Sequence, residues 1–207
     1  MDSTGSLLVS GVWFLRNIIG VIIKPYETYR RIVDHGRLGE LFYIGILLAG
    51  YFALASLVKE ASFRPFLLTR QFVALSTTAA VSFFLASTTI WLVGRLVGGT
   101  GSWQRITLAW GYTMMPTLIW FLATSLLYVL LPPPRTTGVL GIAFSIVYLV
   151  FSVTLFFWKI VLSYLTIRFG LRLDAKKIAI VAGITVPLFV VYSIAMYRFG
   201  VFRVPFL

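Results

Sequence analysis

VLGIAFSIVYLVFSVTLFFWKIVLSYL, running from Val139 to Leu165, contains a single charge, Lys159. About 20 apolar residues carry a helix across the hydrocarbon of a bilayer, so this run alone places the chain in a membrane. Working outward, Leu41–Val58, Phe72–Val97, Ile106–Leu131 and Ile178–Tyr197 each reach or approach the same length. The composition agrees. The chain is 59% hydrophobic and 12% charged, with a mean hydropathy of +0.96, whereas soluble domains carry about 25% charge. The expected fold class is all-α, a polytopic membrane bundle of five transmembrane helices preceded by amphipathic interfacial helices.

At 207 residues there is room for one such bundle, with residues 1–37 forming the interfacial segment and residues 38–207 the five-span domain. Cysteine is absent, which excludes disulfides, iron–sulfur clusters, thiolate zinc sites and cysteine nucleophiles, and leaves the redox compartment unread. His35 is the only histidine, so no multi-histidine metal site can be built. No metal and no cofactor are expected. The opening Met1-Asp-Ser-Thr-Gly lacks the basic segment and small-residue cleavage site of a signal peptide.

The net charge is +12, but the Lys and Arg are scattered over many connections rather than striped on one face. That pattern suits topology and anionic headgroups, not nucleic acid. Membrane lipids are the expected partners, and protein partners or a homo-oligomer through small-residue faces stay open. With the N-terminus inside, the inner segments hold Arg16, Lys24, Arg30, Arg31, Arg37, Arg95, Arg105, Arg168, Arg172, Lys176 and Lys177; the outer ones hold Lys59, Arg64, Arg70, Arg135, Arg198 and Arg203. The excess predicts an integral membrane protein, in the cell membrane of a prokaryotic host, with a cytoplasmic N-terminus and an external C-terminus.

Before the first span, Ser6, Ser10, Trp13, Asn17, Gly20 and Lys24 recur at helical spacing, while Leu8, Val12, Leu15, Ile19, Ile22 and Ile23 lie elsewhere. This predicts an amphipathic helix in the interface plane over residues 6–24, not a sixth span. Pro25 then opens a second short helix, as proline favours a first turn. In it Tyr29, Ile32 and Val33 are expected to face lipid while Arg30, Arg31 and Asp34 stay wet, and His35-Gly36-Arg37 ends it. Arg16, Lys24, Arg30, Arg31, Lys176 and Lys177 are the candidate headgroup contacts. The last two follow Asp174, the expected cap of the fifth span, where cations oppose the helix dipole and are better explained by lipid.

Further along, Lys59–Arg70 reads as a charged external loop and Pro132–Pro134 as a stiff external connection. Ser102 is a candidate N-cap for the third span, and Gly170 the end of the fourth. The second span carries Ser76, Thr77, Thr78, Ser82, Ser87, Thr88 and Thr89, residues that commonly glue helices together and can also line a polar conduit. Gly94-x-x-x-Gly98 can seat a neighbouring helix.

The acids are Asp2, Glu27, Asp34, Glu40, Glu60 and Asp174, none in the middle of a span. A proton-coupled carrier usually stores a carboxylate there, so that mechanism is disfavoured, and so is acid–base enzymology. A Ser163–Lys159 dyad has little beyond its spacing to support it. Lys159 itself has two readings: the electrostatic centre of an internal cavity, or a side chain reaching toward nearby headgroups, which is the commoner behaviour. In the third span, Gly111-Tyr112-Thr-Met-Met-Pro116 joins a close-approach glycine, a hydroxyl and a kinking proline. The motif either lines a groove or serves packing.

These features together resemble the Yip domain family, five-span membrane proteins first known as partners of Ypt/Rab GTPases. The likeness rests on Pro25-Tyr-Glu-Thr-Tyr-Arg-Arg-Ile before the first span, on Gly98-Gly-Thr-Gly101 after the second, and most on Gly111-Tyr112-x-x-x-Pro116, which matches the family's G-Y-x-x-x-P signature; it covers roughly residues 22–200. By resemblance Pro25, Gly98, Gly101, Gly111, Tyr112 and Pro116 are signature positions. Eukaryotic members carry a D-L-x-G-P motif and a long cytosolic tail. Here Ile23-Lys24-Pro25 is the nearest counterpart and no such tail is read, which implies the short, prokaryote-like branch.

The resulting expectation is a non-enzymatic integral membrane protein that organises membrane or recruits partners, in membrane trafficking by resemblance. The alternative is a small transporter or channel component with a polar cavity around Tyr112 and Lys159.

Overall fold

A computed structural model describes residues 3–59, 65–130 and 138–198, and within them the chain is all α-helix with no strand. The helices are α1 (Ser3–Ile23), α2 (Pro25–His35), α3 (Glu40–Lys59), α4 (Pro65–Leu96), α5 (Trp103–Tyr112), α6 (Met115–Leu130), α7 (Val139–Leu171) and α8 (Ala175–Arg198). The Pro132–Pro134 connection and residues 60–64 of the Lys59–Arg70 loop lie outside the described residues. Lys59 closes α3 and Arg70 sits inside α4, so the loop is shorter than expected.

Among the described residues four segments are long and apolar enough to cross a membrane: Leu68–Leu96, Trp103–Leu127 read through the break between α5 and α6, Gly141–Leu171 and Ala175–Arg198. The expected first span, α3, offers the shorter apolar stretch Glu40–Ser56. The bundle's organisation follows from which segment is enclosed. The α5–α6 segment has 61% of its apolar window buried, against none for α7. It is therefore the central pillar. α5 packs on α2, α3, α4 and α7, while α6 packs on α3 and α7. α4, α7 and α8 turn Val81, Phe84, Phe156, Phe157, Val186 and Val191 outward, where lipid rather than water is the natural solvent.

The third span is broken rather than kinked. α5 ends at Tyr112 with Thr113 as its C-cap, and turn bonds run from Thr113 N to Trp110 O and from Met114 N to Gly111 O. Pro116 then falls in the first turn of α6, where its missing N–H removes no helix bond. Ser102 caps α5 as expected, its hydroxyl accepting from Arg105 N at 3.4 Å.

Polar side chains join the helices. Ser82 on α4 meets the Tyr192 hydroxyl on α8 at 2.7 Å, and Trp103 donates to Thr88 Oγ1 at 3.1 Å. Trp120 donates to Ser152 Oγ across α6 and α7 at 2.9 Å. Of the second-span hydroxyls, Ser82 and Thr88 thus join helices, while Thr78 and Ser87 bond their own helix backbone. Ser76, Thr77, Thr88 and Thr89 line a groove whose walls all come from α4, which is an outer surface and not a conduit.

Candidate functional site: a buried polar knot at the Gly-Tyr motif

Asn17, Arg31, Glu40 and Tyr112, from four different helices, converge at one point. Tyr112 donates its hydroxyl hydrogen to Glu40 Oε2, and Asn17 Nδ2 donates to the same oxygen at 2.7 Å. The backbone N–H of Arg37 reaches Glu40 Oε1 at 2.8 Å. Arg31 closes the chain of bonds, its Nη2 and Nε donating to Asn17 Oδ1 at 3.0 and 3.2 Å. The asparagine amide therefore relays between a guanidinium and a carboxylate, using its acceptor for one and its donor for the other. Glu40, Tyr112 and Asn17 have no exposed surface. Removing a carboxylate from water costs several kcal/mol, an order-of-magnitude figure. Three donors on Glu40 and a cation one amide away are what offset it.

Each element's local sequence brings its side chain here. Gly111 has no Cβ, and one placed there would lie 2.7 Å from Leu41 Cδ2 and 3.0 Å from Ile44 Cδ1. The glycine lets the start of α3 close on α5, which sets Glu40 beside Tyr112. α1 presents Ser10, Phe14, Asn17 and Val21 inward, a buried stripe at helical spacing. Phe14 stacks on Tyr43 at 5.5 Å and tilts against Tyr112 at 6.3 Å. On the opposite face Leu8 and Val12 are each 68% exposed, and Leu15, Ile19, Ile22 and Ile23 follow them outward. α1 is thus inverted relative to a helix of a soluble protein.

Two expectations are corrected by this geometry. Ser10 and Asn17 do not look into water; they face the protein (Ser6 lies outside the described side chains). Nor do Tyr29, Ile32 and Val33 face lipid. All three are buried, packed with Leu108, Leu162 and Leu165 in one core. The reason is the same in both cases: periodicity defines a face, and the neighbouring helices decide what that face meets. Tyr29 illustrates the cost of burial, which drives its phenol well above the ordinary tyrosine range, with the Thr166 hydroxyl pulling the other way. Among the described residues neither oxygen has a hydrogen-bond partner, so the contact there rests on packing.

The acids add a further finding. Glu40 stands at the first residue of α3 and not in the middle of a span, as expected, yet it is enclosed. It lies level with Tyr112, the tenth residue of α5, and nine steps at 1.5 Å put it roughly 13 Å along that helix. The argument against proton coupling from a lack of enclosed carboxylate is weakened accordingly.

The remaining candidates separate. Lys159 does not bond Tyr112; its Nζ donates to Thr117 Oγ1 on α6 at 2.9 Å. Pro25 is in the first turn of α2. Gly98 has φ +92, and Gly101 packs directly on the backbone at Gly170, where a Cβ would come 1.7 Å from the carbonyl oxygen. Thr100 N accordingly donates to Leu171 O at 3.1 Å, so the Gly98–Gly101 turn is a backbone-to-backbone clasp between α4 and α7. Gly94 seats Leu171 of α7, as its spacing suggested. Of the headgroup candidates, Arg16 is exposed beside Trp13 at 5.6 Å, Lys24 pairs loosely with Glu27 at 3.8 Å, and Arg30, Lys176 and Lys177 are exposed. Arg31 is the exception, turned inward to Asn17.

Sequence reasoning missed Asn17 and Glu40 as partners. One signal was available: Asn17 is the only asparagine of the chain.

An all-helical chain with crossing-length apolar segments, knotted at a Gly-Tyr pair inside its central pillar, is a polytopic membrane protein. The Yip1 domain model matches residues 19–197, and the chain belongs to that family. The match covers α2 and every helix after it, together with Asn17's partners Arg31 and Glu40. No curated protein and no solved structure matches the chain.

Proposed function

We propose that the protein is a non-enzymatic organiser of the membrane, of the trafficking type that its family suggests, which acts through the basic surface of its N-terminal helices on the cytoplasmic side. The observation that carries this reading is the docking of α2. Its inner face, Thr28, Tyr29, Ile32 and Val33, is buried against α5 and α7, which fixes the helix to the bundle and leaves Arg30 outward near the end of α7. Beside it, α1 offers an apolar outer face with Arg16 on its surface. Such a pair can insert apolar side chains below the headgroups while its cations meet anionic lipid.

A carrier built on Tyr112 and Lys159 would need one cavity reaching both. They are bonded to different partners, Glu40 and Thr117. The organising reading is preferred on that ground.

The test is reconstitution of the intact chain into vesicles of phosphatidylcholine with phosphatidylglycerol, imaged for size and shape. The native chain should shift the distribution, and the Arg16→Gln, Lys24→Gln, Arg30→Gln triple variant should not. Identical vesicles with both proteins would sink the reading.

A further inference from the structure

A cleft of about 400 Å³ opens where α2 meets the end of α7, walled by Tyr26, Arg30, Arg168, Phe169 and Arg172. We infer that it binds a phosphate group, the chemistry shared by an anionic phospholipid headgroup and by free phosphate. The inference rests on the lipid-engaging reading above and gives it a specific seat.

Three observations support it. The first is the charge: Arg30, Arg168 and Arg172 share the cleft with Asp34 and Asp174. The only ion pair among these in the described residues, Arg172 to Asp34 at 3.9 Å, joins side chains that are 59% and 39% exposed. So loose a pair is weakly held and screened, leaving the guanidinium available.

The second is preorganisation. Arg168 donates Nη1–H to the Tyr164 hydroxyl at 2.7 Å, and its guanidinium carbon lies 5.7 Å from the Tyr26 ring and 6.0 Å from that of Phe169. Those two rings meet edge to face at 4.9 Å. A planar fork held among aromatic rings loses little freedom when it takes a phosphate, which it matches in geometry.

The third is backbone strain. Arg172 caps α7 at φ 56 and ψ 47, the only non-glycine with positive φ among the described residues. Helices usually place glycine at such a left-handed position, because a Cβ is disfavoured there. An arginine held at this cost, at the mouth of a basic cleft, is explained by a use for its side chain. The cleft also sits where the apolar run of α7 ends, and lipid phosphates lie just beyond the hydrocarbon that such a run spans.

The experiment uses the intact chain in phosphatidylcholine nanodiscs, measuring thermal unfolding alone, with phosphatidylglycerol in the disc, and with inorganic phosphate in the buffer. Arg172→Gly is the decisive variant. It should unfold no lower than the native chain in neutral lipid, since the strain is relieved, yet bind the anionic ligand about tenfold more weakly and lose most of the shift. Arg168→Gln should lose the shift as well, while Lys24→Gln, outside the cleft, should keep it. A shift with phosphatidylglycerol alone assigns the headgroup; a shift with inorganic phosphate alone assigns a soluble phosphate. No shift with either, or a full shift in Arg172→Gly, overturns the inference. Vesicle shape is not the readout here, so the seat can stand if the organising role falls.

Discussion

Tyr112 donates its hydroxyl hydrogen to Glu40 across 72 positions of sequence, with neither residue exposed. The bond explains what the Gly-Tyr pair does: the glycine makes room for α3 and the tyrosine holds what arrives. Removing the hydroxyl in Tyr112→Phe leaves an enclosed acceptor short of a donor, a loss of about 1–3 kcal/mol. Glu40→Gln should cost more, because an amide oxygen kept for Tyr112 and Asn17 turns the amide NH2 against the Arg37 backbone N–H, and the reverse orientation sets it against both side-chain donors. Thermal unfolding in detergent checks the order. A Tyr112→Phe chain as stable as the native one would show that the bond contributes nothing.

The glycine and the tyrosine should be coupled. Gly111→Ala forces Leu41 and Ile44 back and should destabilise by about 1–3 kcal/mol, the usual range for overpacking. If much of that loss is the broken approach of Glu40, the same change made in Tyr112→Phe should cost distinctly less. Strictly additive losses in the double variant would confine Gly111 to packing.

Asn17 is the pin of α1. In Asn17→Leu the amide relay between Arg31 and Glu40 disappears, and the inner face of α1 should come away from the bundle. The chain has no cysteine, so a single Ser10→Cys reports directly. That buried thiol should resist a polar thiol reagent in the native background and react at least several-fold faster beside Asn17→Leu. Equal protection in both would mean that Phe14 and Val21 suffice to dock the helix.

Lys159 is expected to be dispensable for the fold. Its ammonium, on a membrane-spanning helix, is matched by a neutral hydroxyl, and exchanging such a group for an apolar side chain of similar volume is often neutral or stabilising. Lys159→Met should therefore unfold at the same temperature or higher. A marked fall would show that the ammonium bonds more than Thr117, and would reopen the cavity reading.

The spans were legible because bilayer crossing demands long apolar runs that nothing else in a chain this size requires. Pro25, Ser102 and the Gly94 seat were legible because each answers a local backbone need. The knot was not. Glu40 adjoins an apolar run and reads as an ordinary polar start to a helix, and Asn17 falls on what looks like a wet face. In water a polar stripe points out, whereas beside lipid it turns toward the other helices, and the spacing of α1 is identical in both cases. The break at Thr113 was read as a kink for a related reason: Pro116 marks a disturbance without saying whether the helix bends or restarts.

The inverted α1 also orders the events of synthesis. Asn17 emerges 23 residues ahead of Glu40, and Glu40 a further 72 ahead of Tyr112. Until that later stretch is inserted, the amide and the carboxylate have each other, Arg31 and the Arg37 backbone N–H, but not the tyrosine hydroxyl. The first helix made is thus among the last to settle, and a nascent chain halted before Tyr112 should hold its leading segment only provisionally in the bilayer.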